Sequence, residues 1–215
     1  RMKMEATQAF NDIYKNRRWG VNSDGDPSSG PGSHPSNVVP YVEYLQRFMK
    51  DNNVKTIVDV GCGDWQFARY INWDGVEYLG VDCVKSVLQR NIKRFAKDNV
   101  DFALGDLTND EDLQHFPTAD LYIVKDVLQH LPNRVVYRFL DDIKPKVKYI
   151  LVTNCCDQAR DEDNADFGET RPLNSSKTPL RRYNAEPQLN FFTKETSLIR
   201  GDFSEHNMER DAERL

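Results

Sequence analysis

The chain predicts the α/β class, a doubly wound and mostly parallel sheet preceded by a helical extension. Three observations carry that prediction. Short apolar runs at 55–60, 77–82, 100–105, 119–124 and 148–154 alternate with helical stretches at 65–71, 84–97 and 133–144, the pattern of a parallel sheet covered by helices on both faces. The first run ends in a glycine turn, Asp59-Val60-Gly61-Cys62-Gly63. The second, Tyr78-Leu79-Gly80-Val81, closes on an acid, Asp82. In such sheets ligands sit beyond the carboxyl ends of the strands, where these groups fall.

Ahead of the sheet, residues 4–17 place Met4, Phe10, Ile13 and Tyr14 at near-helical spacing, so an amphipathic helix is expected there. A polar, glycine- and proline-rich stretch follows from Gly20 to Asn37. A second apolar helix, Val38 to Lys50, then sets Val42, Leu45 and Met49 on one face. A long loop anchored at both ends beside a ligand site is a lid candidate. The organisation is therefore 1–53, helices and lid loop, and 54–215, the sheet domain, with an insertion at 155–187 that runs from acidic to proline- and arginine-bearing.

Glycines at a strand–helix turn let the backbone approach a ligand, and a carboxylate on the next strand accepts two ribose hydroxyls. That pairing binds an adenosine-containing cofactor. A dinucleotide fingerprint would place a third glycine at position 66, where this chain has Gln66; a ligand without a pyrophosphate does not need it. Asp59, just before the turn, repels phosphate and suits a cation. S-adenosylmethionine, with its sulfonium and amino group, meets both conditions.

On these residues the chain resembles the class I S-adenosylmethionine-dependent methyltransferases. Asp59 to Gly63 looks like the first motif of that family and Asp82 like the second. Asp106, in Phe102-Ala103-Leu104-Gly105-Asp106-Leu107, looks like the acid that meets the adenine amino group. Asp120 to Leu131 looks like the fourth strand and the turn beside the reacting methyl. The resemblance implies a Rossmann-like sheet of seven strands with an antiparallel last strand, the final hairpin falling near 188–203. It implies a cofactor set of Trp19, Ser33, Asp59, Gly61, Cys62, Gly63, Asp82, Cys83, Asp106, Leu107 and Lys125. A finer similarity joins Ile13-Tyr14, Trp19-Gly20, Ser29 to Ser33, Gly168 and Arg171-Pro172-Leu173 to a subgroup from bacteria and large algal viruses, among them a chlorovirus glycan-building enzyme. Some members lie beside glycosyltransferase domains, which implies O-methylation of a glycan, with a deoxysugar such as rhamnose as acceptor.

A hydroxyl acceptor needs a base to take its proton as the new bond forms. His130, one short turn after the fourth strand, is the expected catalytic base, with Asp126 four residues earlier to orient it or bind the acceptor. The alternative route is a magnesium ion on Asp126, Asn154 and Asp157, all near strand ends; no metal is assigned. Trp19, Trp65 and Tyr183 are candidates for stacking on a sugar face.

Composition narrows the rest. A net charge of −5 over 215 residues gives no basic footprint for nucleic acid. No apolar run spans a membrane and no signal peptide is visible. Cys62, Cys83, Cys155 and Cys156 lack metal-finger spacing and read as reduced thiols of a cytoplasmic protein. The chain opens on Arg1 rather than methionine, as expected of a piece cut from a longer polypeptide. Rival readings are a small-molecule O- or N-methyltransferase, a non-catalytic cofactor-binding interaction module, and an NAD-dependent oxidoreductase.

Overall fold

A computed structural model describes residues 6–204. Seven strands form one sheet: β1 (Thr56–Val60), β2 (Glu77–Asp82), β3 (Val100–Leu104), β4 (Ala119–Lys125), β5 (Val147–Cys155), β6 (Glu186–Phe191) and β7 (Lys194–Arg200). Their order is β3-β2-β1-β4-β5-β7-β6. The first five strands run parallel, and β7 inserts antiparallel between β5 and β6. The order reverses between β1 and β4, so the crevice at their carboxyl ends is the ligand position this topology provides.

The central strand β4 explains itself. Leu121, Tyr122, Ile123 and Val124 are all buried, a continuous apolar run of the kind a parallel strand needs when both faces are covered. Alternation then divides the core in two. Val58, Tyr122, Val124, Ile150 and Val152 face Val136, Phe139, Leu140 and Ile143 of α5 (Asn133–Ile143). Ile57, Leu121, Ile123 and Leu151 face Tyr41, Leu45, Phe48 and Met49 of α2 (Val39–Asp51). The spacing of those α2 residues is that of one helical face. Val42, expected on it, is only half-buried at its margin.

The N-terminal helix is present as α1 (Ala6–Lys15), with Ala6, Ala9, Ile13 and Tyr14 buried; Met4 lies outside the described residues. The stretch 84–97 forms α3 (Lys85–Phe95). The helix expected at 65–71 is corrected: only a single 3-10 turn, Ala68–Tyr70, forms there. Trp65 sits at φ 59°, a left-handed backbone no α-helix can pass through. Its ring is held among Trp73, Tyr78, Phe95 and Phe102, and aromatic packing prevails over helix formation. Sequence reading also missed α4 (Asp110–Gln114). That helix is too short for a periodic signal, but Asn109 caps it by accepting the Asp112 N–H at 3.1 Å, and its first turn is acidic, as its dipole favours.

Phe139 is completely buried between α5 and the sheet. Truncating it, Phe139→Ala, is expected to cost about 3–5 kcal/mol. Equilibrium unfolding in urea checks this.

Candidate functional site

The site grows from the turn after β1. Gly61 and Gly63 have φ of 73° and 60°, which non-glycine residues rarely adopt. A Cβ on Gly61 would also collide with Val127 of the loop after β4, and one on Gly63 with the Ser29 hydroxyl. Asp82, at the end of β2, staples this turn in place. One carboxylate oxygen accepts the Gly63 N–H at 3.0 Å and the other the Val84 N–H at 3.0 Å. A carboxylate has about four lone-pair positions, so these bonds do not exhaust its capacity, and Asp82 lines the crevice. Burial raises the Asp82 pKa against those backbone donors.

Asp59 is buried at the centre of the same turn and accepts the Tyr78 hydroxyl at 2.6 Å. Tyr78 in turn accepts the Trp65 indole N–H at 2.9 Å. Burial pushes the Asp59 carboxyl up to about 6, with the Tyr78 bond and the Lys125 charge opposing the rise. Asp106, after β3, accepts the Thr108 N–H and hydroxyl and, at 2.5 Å, the hydroxyl of Thr7 on α1.

One cavity joins these groups. It is partly open to solvent. Every residue expected to hold the cofactor lines it: Trp19, Ser33, Asp59, Gly61, Cys62, Gly63, Asp82, Cys83, Asp106, Leu107 and Lys125. Asp126 lines it too. Sequence reading missed Phe10 and Tyr14 of α1, and Phe67, as wall residues. The spacing in α1 marked the first two as apolar, but nothing local says what they face.

The 20–37 stretch is tethered at each end of this cavity. Ser29 donates to Asp64 at 2.5 Å and pairs with the Tyr14 hydroxyl at 3.0 Å. Asn22 donates to the other Asp64 oxygen at 2.9 Å. Asp24 meets Arg69, and Asp26 meets Arg94, each at 2.9 Å. At the far end, the Lys125 ammonium donates to the Gly32 carbonyl at 2.9 Å.

Asp126 stands at φ 58° with one ammonium on each oxygen, Lys125 at 2.8 Å and Lys194 at 2.7 Å. Burial pushes its carboxyl up, but the two cations outweigh that and hold it below the usual carboxylate range. Those contacts leave it poorly suited as a magnesium ligand. Asn154 is likewise engaged, accepting the Gln129 N–H at 3.2 Å. No group of three or more metal-ligating side chains forms among the described residues.

His130 does not line the cavity. Its ring stands 5.2 Å from that of Trp19, which does, and 6.1 Å from Phe10. The insertion cradles it: Nδ1 donates to the Glu169 carbonyl at 3.0 Å, Gly168 N–H reaches the His130 carbonyl at 3.0 Å, and Arg171 donates to the Leu128 carbonyl at 2.6 Å. Trp65 and Tyr183, expected as sugar platforms, are both buried in the hydrophobic core and do not line the cavity; the Trp65 indole N–H donates to the Tyr78 hydroxyl and the Tyr183 hydroxyl to Asp141.

The four cysteines are free, and burial holds the Cys62, Cys83 and Cys156 thiols protonated by raising their pKa. No helix among the described residues is long and apolar enough to cross a membrane.

Comparison with known proteins agrees with this geometry. Residues 58–148 match the family model described as a methyltransferase domain. No protein of curated function matches. Among solved structures, magnesium protoporphyrin IX methyltransferase (ChlM) from Synechocystis PCC 6803 with bound S-adenosylmethionine superposes with a TM-score of 0.65 at 13% identity, over 94% of this chain and 100% of that one. The N-terminal domain of EvdMO1, crystallised in the presence of S-adenosylhomocysteine and D-fucose, gives 0.60 at 13% identity over 93% and 98%. PigF with S-adenosylhomocysteine gives 0.59 at 11% identity; this chain covers 55% of its length, with 76% of its own. Residues 58–148 thus carry a methyltransferase domain, and the fold around them is shared with proteins solved with S-adenosylmethionine or S-adenosylhomocysteine.

An ionised Asp59 favours a cationic ligand, and the neutral acid does not. Because its carboxyl is raised to about 6, affinity for S-adenosylmethionine is expected to fall about tenfold from pH 7 to pH 5 as it protonates. The same shift means that this group's contribution to folding is present at low pH and lost as pH rises through its folded pKa. Isothermal titration across that window, with Asp59→Asn losing the dependence, checks the assignment.

Proposed function

We propose that this methyltransferase O-methylates a sugar hydroxyl, with a deoxysugar such as rhamnose at a glycan terminus as the acceptor. The observation that carries the reading is the state of His130. Its Nδ1 proton is fixed on the Glu169 carbonyl, so the lone pair is on Nε2, which has only a long 3.3 Å contact from the Gln129 amide. Burial lowers its pKa from 6.5, helped by the Lys194 and Arg171 charges and opposed by the Glu169 bond and Asp126. The imidazole is therefore neutral at pH 7, the state a general base requires.

Each cavity acid has a place in this reading. Asp82 takes the ribose hydroxyls, Asp106 with Leu107 the adenine edge, and Asp59 the amino-acid end. The cofactor supplies an electrophilic methyl on a sulfonium. Trp19 covers His130 and turns aside when the acceptor enters, presenting its face to the sugar. When bound, the cofactor would supply the methyl group and keep the electron pair of the broken carbon–sulfur bond, and His130 Nε2 would take the proton of the acceptor hydroxyl. The remaining contribution of the chain is alignment. The D-fucose present with the EvdMO1 domain supports a deoxysugar, as that fold is matched over nearly its full length. The net charge of −5 speaks against nucleic acid, and the reduced thiols suit a cytoplasmic enzyme, joined in its parent polypeptide to glycosyltransferase domains.

Transfer of labelled methyl from S-adenosylmethionine to a rhamnoside, alongside RNA and peptide acceptors, tests the proposal. Label is expected on the rhamnoside alone, and His130→Ala is expected to cut turnover about a hundredfold with cofactor binding intact. Label on another acceptor class contradicts the sugar, and unchanged turnover in His130→Ala contradicts the base.

A further inference from the structure

Lys194 stands behind the cavity wall, in contact with Asp126, which lines it. It is the first residue of β7, its side chain is 5% exposed, and it reaches from the hairpin to the loop after β4. Its ammonium touches Asp126 Oδ1 at 2.7 Å and Cys155 Sγ at 3.4 Å. Its stem lies against the loop over the cavity: a Cβ built on Gly32 would fall 2.5 Å from Lys194 Cε, 2.8 Å from its Nζ and 3.2 Å from Asp126 Oδ2.

Gly32 is not at a positive φ, so its backbone could carry a side chain without strain. The space such a side chain would need is filled by the outer end of Lys194, which would have to shift to admit it while its ammonium is held on Asp126. Lys125 completes the arrangement by donating to the Gly32 carbonyl and to Asp126 Oδ2. Three separate segments, the 20–37 loop, the β4 turn and the hairpin, thus meet in one buried clasp of alternating charge.

We propose that Lys194 is a positioning residue of the methyl transfer. By gripping Asp126 with its ammonium and seating Gly32 with its stem, it sets the closed position of the 20–37 loop over the cofactor. The hairpin thereby determines how tightly the cofactor is held. This rests on the cofactor assignment and not on the sugar acceptor. The two arms of Lys194 are separable. The ammonium acts through Asp126, whereas the stem acts by excluding any atom beyond Cα at position 32.

A double-mutant cycle read by calorimetric titration with S-adenosylhomocysteine tests this, with thermal denaturation to confirm folding. Gly32→Ala is expected to weaken binding about tenfold, because the loop cannot seat, and Lys194→Ala to weaken it similarly. Combined, they are expected to be no worse than the worse single variant, since removing the stem makes room for the new methyl. In Lys194→Met the stem remains, so Gly32→Ala should still cost about tenfold there. Independent losses multiplying to about a hundredfold in the Gly32→Ala/Lys194→Ala variant would overturn the proposal. So would full affinity in Gly32→Ala alone, a result that stands even where Lys194→Ala does not fold. Absence of binding by the unsubstituted chain would instead overturn the cofactor assignment beneath it.

Discussion

The bond pair on Asp82 is the constraint on which the rest of the site depends. A single carboxylate at the end of β2 accepts the N–H of Gly63 from the neighbouring turn and that of Val84 at the start of the next helix. Two unsatisfied backbone donors are thereby paired in a buried setting, where leaving them orphaned costs a few kcal/mol. The turn after β1 then takes the left-handed course that its glycines permit. Everything placed against that turn, from Val127 to Ser29, is positioned by it. Asp82 also lines the cavity, so one group both shapes the turn and forms part of the cavity wall.

Charge is distributed to match the ligand. Asp59, Asp82 and Asp106 line the cavity, while Lys125 and Lys194 gather around Asp126, which lines it as well. Each of these acids, buried or half-buried, has partners. Asp59 has a tyrosine hydroxyl, Asp106 two threonines, and Asp126 two ammoniums. A buried charge that lost its partner would be strongly destabilising, which couples the cavity chemistry to the fold itself.

Legibility in the sequence followed chain distance. The glycine turn and the acids at strand ends are local patterns, so their residues and the sheet that carries them could be read directly. Lys194 is 68 residues from Asp126, and no local spacing connects a hairpin lysine to the β4 turn. Arg171 is buried and reaches Leu128 and Asn133 across 43 and 38 residues, which makes the insertion a cradle for His130. The helix expected at 65–71 failed for another reason: the left-handed Trp65 is dictated by its aromatic neighbours in space. The 20–37 loop is visible as composition, but its tethers to Asp64, Arg69 and Arg94 are tertiary.

The account turns on the protonation state of His130, which 15N NMR of histidine-labelled protein reads most directly, the signals being assigned with His130→Gln. The geometry predicts a ring protonated on Nδ1 and bare on Nε2 at pH 7, charging only below its ordinary value of 6.5. A ring protonated on Nε2, or already cationic at pH 7, would contradict its role as the base.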